Sequence, residues 1–260
     1  MSVKFTILGS GSGGNCACIE TDEARILVDA GFSPRQIRQR LATISRVPEN
    51  LTGILITHEH SDHVQGLIGI AAKLNIPIYC NRATKEAFEF QLETKFNCRL
   101  FETGASFEIG DLLVETFTIP HDAQDPVGFL IRTGAGNIAF VTDLGHMTKL
   151  VLERIRPANV LVLESNHDVK MLQNCPRRSW SLKQRILGRH GHLSNEAAAE
   201  AAAQIMSAEL KHLYLAHLSR ECNRPELAHY VMAEQLHQIG ATHVHLQLAA
   251  QDVPCATLEL

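Results

Sequence analysis

The chain has 260 residues, 45% of them apolar, enough for a sizeable core in a single large fold. A formal charge of −4 excludes binding to nucleic acid through overall basicity, so any anion-binding surface must be local. Seven cysteines without a C-x-x-C pair argue against a secreted disulfide framework, and no signal-peptide pattern or membrane-length apolar run occurs, so the expectation is a cytoplasmic protein off the membrane.

In chain order, Val3 to Leu8, Cys16 to Thr21 and Ile26 to Asp29 read as strands separated by turns. Ser33-Pro34 caps a helix to about Leu41, and Gly53 to Ile56 is a buried strand. A helix is expected over Val64 to Leu74, then a short strand over Ile76 to Cys80. The middle is strand-rich, with Ser106 to Ile109, Leu112 to Ile119, Val127 to Thr133 and Ile138 to Thr142. A helix over Thr148 to Arg156 precedes the apolar strand Val160 to Glu164. Helices over Leu182 to Leu187 and Asn195 to Met206, a strand over Leu213 to Ala216, a helix over Pro225 to Ile239 and a strand over Thr242 to Leu248 complete the pattern. No linker or repeat divides it, so residues 1–260 read as one domain. Early hairpins argue against a purely parallel sheet, and two mixed sheets flanked by helices fit better.

Gly9, Gly11 and Gly14 match the dinucleotide-binding G-x-G-x-x-G. A strand-like segment follows where that motif needs a helix, so a hairpin turn needing positive φ is expected. Its N–H groups could still hold a phosphate, with Ser12 and Asn15 as candidates.

The richest segment is Thr57-His58-Glu59-His60-Ser61-Asp62-His63, directly after a buried strand. Three imidazoles and a carboxylate are the donors that zinc, manganese or iron require. Four ligands in one loop exceed the need of one closed site and suggest two adjacent metals. Three further strands each end in a donor: His121, Asp143 and His217.

With Asp29 in Leu27-Val28-Asp29-Ala30-Gly31, this ordered set resembles the metallo-β-lactamase superfamily. The resemblance implies an α/β (α+β) fold, a four-layer αβ/βα sandwich of two mixed sheets with the site along one edge. It implies two divalent ions (Zn, Mn or Fe), one on His58, His60 and His121, the other on Asp62, His63 and His217. Asp143 would bridge them, and Asp29 would fix a ligand or the loop. A hydroxide shared by the metals would attack the substrate, with Asp62 and Asp143 as catalytic residues. Apart from the resemblance, His192 is a third catalytic candidate, as general acid or phosphate donor helping the leaving alkoxide. His146 and His167 follow strand ends and are candidate supports for the ligands.

Glu164-Ser165-Asn166-His167-Asp168, Gly191-His192-Leu193-Ser194-Asn195 and the segment after His217 further resemble the YycJ/WalJ branch. That implies a cytoplasmic exonuclease degrading duplex DNA from the 5′ end. Asn174 to Trp180 departs from the branch's usual Gly-Pro-Tyr-Pro-like stretch and leaves that loop's shape open. Independently, Val169 to His192 contains no acid, while Arg177, Arg178, Lys183 and Arg185 are basic, as a DNA-binding patch would be. Ser194 or Asn195 should cap the next helix, whose N-terminus could hold a phosphate. The competing expectation is a small-molecule hydrolase of the same fold, a hydroxyacyl-glutathione thioesterase or lactonase.

Overall fold

The computed structural model describes residues 2–260. The strands β1 (Lys4–Gly9), β2 (Cys16–Glu20) and β3 (Arg25–Val28) form an antiparallel meander. Helix α1 (Pro34–Thr43), strand β4 (Gly53–Leu55), helix α2 (Ser61–Val64), strand β5 (Ile78–Cys80), helix α3 (Arg82–Leu92) and strand β6 (Cys98–Leu100) follow, with β3 to β6 parallel. Strands β7 (Ser106–Ile109), β8 (Leu112–Thr118), β9 (Val127–Arg132) and β10 (Asn137–Val141) are antiparallel. The remainder is α4 (Lys149–Ile155), β11 (Val160–Glu164), α5 (Val169–Asn174), α6 (Trp180–Leu187), α7 (Asn195–Ile205), β12 (His212–Ala216), α8 (Pro225–Gln238), β13 (His245–Leu248) and β14 (Leu258–Glu259). Strands β10 to β13 run parallel. The sheet orders are β14-β1-β2-β3-β4-β5-β6 and β13-β12-β11-β10-β9-β8-β7.

Alternation along the strands builds the layers. In β11, Val160 and Val162 enter the core between the sheets, while Leu161 and Leu163 face the helices α4, α7 and α8. In β3, Ile26 and Val28 point inward, and Leu27 joins the cluster under α1. Covered on both faces, these strands read as continuous apolar runs. Phe5 stands edge-on to Phe140 and Tyr214 at 5.8 and 5.4 Å, joining the two sheets. The result is the expected helix–sheet–sheet–helix sandwich.

One expected element changes, four are additional and the glycine turn is as expected. The helix over Val64 to Leu74 is instead the short α2 and a π-helical turn at Ile68–Ala72. The carbonyls of Asp62 and His63 accept from Asn15 N and Ala30 N, and Gly66 N donates to Ala30 O, so the helical ladder is diverted into tertiary bonds. Helices α3 and α5 and the edge strands β6 and β14 are additional. The glycine turn joins β1 to β2 as a hairpin, with Gly11 and Gly14 at φ 154° and 151°.

Candidate metal centre

Three residues at strand ends adopt left-handed backbone: Asp29, Asp143 and His217, at φ 61°, 60° and 56°. Each such non-glycine conformation costs about 1–3 kcal/mol and persists where the surroundings fix it. It swings the chain out of the sheet at the edge where the His58 to His63 loop lies. Gly31 allows the closest approach: a Cβ there would stand 1.6 Å from Asp62 O.

The donors converge. His60 Nδ1 and His121 Nε2 are 3.3 Å apart, and His58 groups with both. His217 Nε2 is 3.4 Å from Asp62 Oδ2, and His63 Nε2 completes that set. Asp143 Oδ2 lies 3.3 Å from His63 Nε2, and Asp143 Oδ1 is 4.0 Å from His121 Nε2, so this carboxylate reaches both groups. Nitrogens about 2.1 Å from one tetrahedral ion stand about 3.4 Å apart, close to these spacings. His58 Nε2 and Asp143 Oδ2 are buried without a hydrogen bond, an orphaning that costs about 1–3 kcal/mol each in an apolar site. The residues fit divalent metal.

The opposite ring nitrogens are held from behind. Asp29 Oδ2 accepts from His63 Nδ1 at 2.8 Å, and its Oδ1 accepts from Thr57 N. Asn15 Oδ1 accepts from Ser10 Oγ and Gly11 N, while Ser10 Oγ accepts from His217 N. Burial pushes the Asp143 carboxyl up, but His217 and His63 outweigh it and hold it well below the usual carboxylate range. Against burial, Asp29 and Asp143 raise His63, and Asp143 raises His217. Burial, aided by His63, pushes His58 well below the ordinary imidazole value.

Glu164, at the end of β11, is a residue the sequence reading did not single out for the site. It is fully buried, and Oε1 accepts from His192 Nδ1 and His217 Nδ1, each at 2.8 Å. Its Oε2 accepts from Leu144 N and Leu193 N. Four accepted bonds fill the carboxylate's lone-pair sites, so it orients imidazoles and has none left for a metal. Burial opposes ionisation, but His192 and His217 lower its pKa to about 2. With Nδ1–H committed to Glu164, His192 keeps Nε2 for a substrate.

The site opens into a cavity of about 210 Å³, lined by His60, Asp62, His121, Asp143, His192 and His217, with Ser12, Arg178 and Arg185 also in its wall. Arg185 pairs with Asp122, and Arg177 and Arg178 pair with Glu221. Lys183 donates to Gln173 O. Other candidates lie elsewhere. His146 Nδ1 donates to Arg189 O, and its Nε2 lies 3.5 Å from Arg189 Nη2, so both ring nitrogens face Arg189. His167 is buried with both ring nitrogens unpartnered, and burial lowers its pKa to about 4. Ser194 caps its own helix by accepting from Ala197 N. Asn195 is 1% exposed and bonded to Ser165 and Asn223, so its side chain is turned away from a phosphate in solvent. No helix among the described residues is long and apolar enough to cross a membrane, and all seven cysteines are free.

Residues 24–218 match the profile of the beta-lactamase superfamily domain. Exodeoxyribonuclease YycJ of Bacillus anthracis is 39% identical over 245 residues, covering 92% of this chain and 91% of that protein. Exodeoxyribonuclease WalJ of Streptococcus pneumoniae is 40% identical over 242 residues, covering 90% and 88%. The metallo-beta-lactamase fold protein YhfI from Bacillus subtilis is 16% identical, with a TM-score of 0.71 over the full length of both chains, a likeness of fold.

Proposed function

Since the chain belongs to the beta-lactamase superfamily, in the YycJ/WalJ branch, and is a hydrolase that binds divalent metal, we propose that it is a cytoplasmic exonuclease removing nucleotides from the 5′ ends of duplex DNA. The observation that carries the reading is a converging donor set, two of whose buried atoms (His58 Nε2 and Asp143 Oδ2) lack a hydrogen bond, beside a cavity whose wall includes arginines of an acid-free segment. Residues 1–260 would act as one domain, since β14 closes the sheet that contains β1.

We assign one ion (zinc, manganese or iron) to His58, His60 and His121, a second to Asp62, His63 and His217, and Asp143 to both. Such ions supply Lewis-acid polarisation of a phosphoryl oxygen and a nucleophile at neutral pH. Asp62 and Asp143 line the cavity as candidate acceptors for the proton of the attacking water. His192, held through Nδ1 by Glu164, presents Nε2 to the leaving oxygen and can protonate it. Arg178, Arg185 and the loop at Ser12 face the same cavity and offer donors to phosphate oxygens. The thioesterase or lactonase reading is not favoured, because the relatives matched over nine-tenths of the chain are exodeoxyribonucleases by name.

The test is incubation of duplexes labelled at either end, with and without Mn²⁺, beside Asp143→Asn. Metal-dependent release of nucleotides from one end, reduced about 100-fold or more in the variant, is expected. Absence of any metal-dependent cleavage would sink the nuclease reading.

A further inference from the structure

Helix α6 stands at the wall of the cavity with two unlike faces. Leu182, Arg185 and Ile186 line the cavity, and Arg178 joins them just before the helix. None of the eight residues of α6 is buried. At 3.6 residues per turn, Trp180 lies about 160° around the helix from Leu182, on one stripe with Lys183, Gln184 and Leu187. Trp180, the chain's single tryptophan, is 70% exposed, and Leu187 beside it is exposed too. A large aromatic left outside the core on a polar helix, within an acid-free run, is placed to meet a polyanion with flat bases.

The cavity is smaller than the roughly 300–1,000 Å³ of a typical drug-sized ligand site. At about 210 Å³, with His60, Asp62, Asp143 and His192 among its lining residues, it has less room than a drug-sized ligand takes, so one strand's phosphodiester fits and a base pair does not. On the exonuclease reading above, a duplex end must therefore open before its phosphodiester reaches the donors. Unstacking is unfavourable, and contacts to the separated strands must offset it.

We propose that α6 is the strand-separating pin: the cleaved strand passes along the Leu182–Arg185–Ile186 face, and its displaced complement stacks on Trp180 beside Lys183 on the outer face. Trp180 is then a specificity-determining residue for paired ends and touches no reacting atom. The proposal rests on the exonuclease reading.

The experiment compares wild type, Trp180→Ala and Trp180→Phe, loaded with Mn²⁺, on a blunt duplex and on one whose cleaved strand carries an unpaired overhang. Loss of one base–aromatic stack predicts that Trp180→Ala cuts the blunt end about 10-fold more slowly and the overhang within about 2-fold of wild type. Trp180→Phe should restore most of the blunt-end rate. In EDTA, the blunt duplex should quench the single tryptophan's emission. Equal rates of Trp180→Ala and wild type on both substrates, an equal loss on both, or unchanged emission on binding would overturn the pin. If wild type cuts neither DNA, the exonuclease reading falls and the pin with it.

Discussion

Glu164 is the residue on which the two halves of the proposed chemistry meet, since one oxygen holds both the ligand His217 and the acid His192. Replacing it with Gln puts an amide NH₂ where the carboxylate accepted N–H groups, so at least one imidazole turns or loses its partner. Glu164→Gln is expected to lower metal affinity and kcat about 10–100-fold each, read by chelator competition and steady-state kinetics. Unchanged values for both would show that the imidazoles are oriented without it. Its position had a legible signal: Val160, Val162 and Glu164 share one face of β11, so a strand with its inner face in the core carries an acid at the site edge. Whereas Glu164 is itself the last residue of β11, Asp143 and His217 stand out as donors that close apolar runs one or two residues past the strand. The left-handed turn at each was not legible, because no residue pattern at a strand end specifies it. Nearness to a strand end does not say which way a loop turns: His146 bonds to Arg189, and His167 is buried with both ring nitrogens unpartnered.

Among the elements, a side-chain cap alone does not make a helix readable: Asn81 caps α3 and Asp168 caps α5, yet neither helix stands out in the sequence. In α1, Ser33 and Gln36 form a reciprocal capping box with Pro34 in the first turn, and the start is as expected. In α3, the buried residues are Thr84, Phe88 and Glu89, too polar a stripe to stand out. The π turn after α2 depends on bonds to Asn15 and Ala30, distant in sequence, which no local pattern encodes. The start of α7 bears on phosphate binding. Ser194 Oγ is used on the backbone of its own helix. Ser194→Ala is therefore expected to lower stability by about 1 kcal/mol in urea unfolding while DNA affinity stays the same. A loss of affinity without loss of stability would instead place a phosphate at this helix terminus.

Across the whole molecule, the donors come from both sheets. Asp29 and His58 to His63 follow strands of the first, while His121, Asp143 and His217 follow strands of the second. The ordered histidine and aspartate positions made this convergence readable, because residues at the same ends of parallel strands meet at one edge. The two sheets also share a dry core that includes Phe5, Phe129, Phe140 and Tyr214 and does not involve the donors. Metal held by these donors would act as a second clamp across an interface that apolar burial already closes. Stripping it should leave the far-ultraviolet circular dichroism intact, since the layered core remains. The melting temperature should fall, because ions that bind the native state at about 1,000 times their Kd stabilise it by about 4 kcal/mol. For a chain of this size that corresponds to a drop of about 10 °C, recovered on adding Mn²⁺ or Zn²⁺. Asp143→Asn should lose most of this metal-dependent rise, because the one carboxylate that reaches both donor groups is neutralised. An unaltered melting temperature after verified metal loss would mean that the apolar layer alone joins the halves, and the donors would then serve chemistry without contributing to the sandwich.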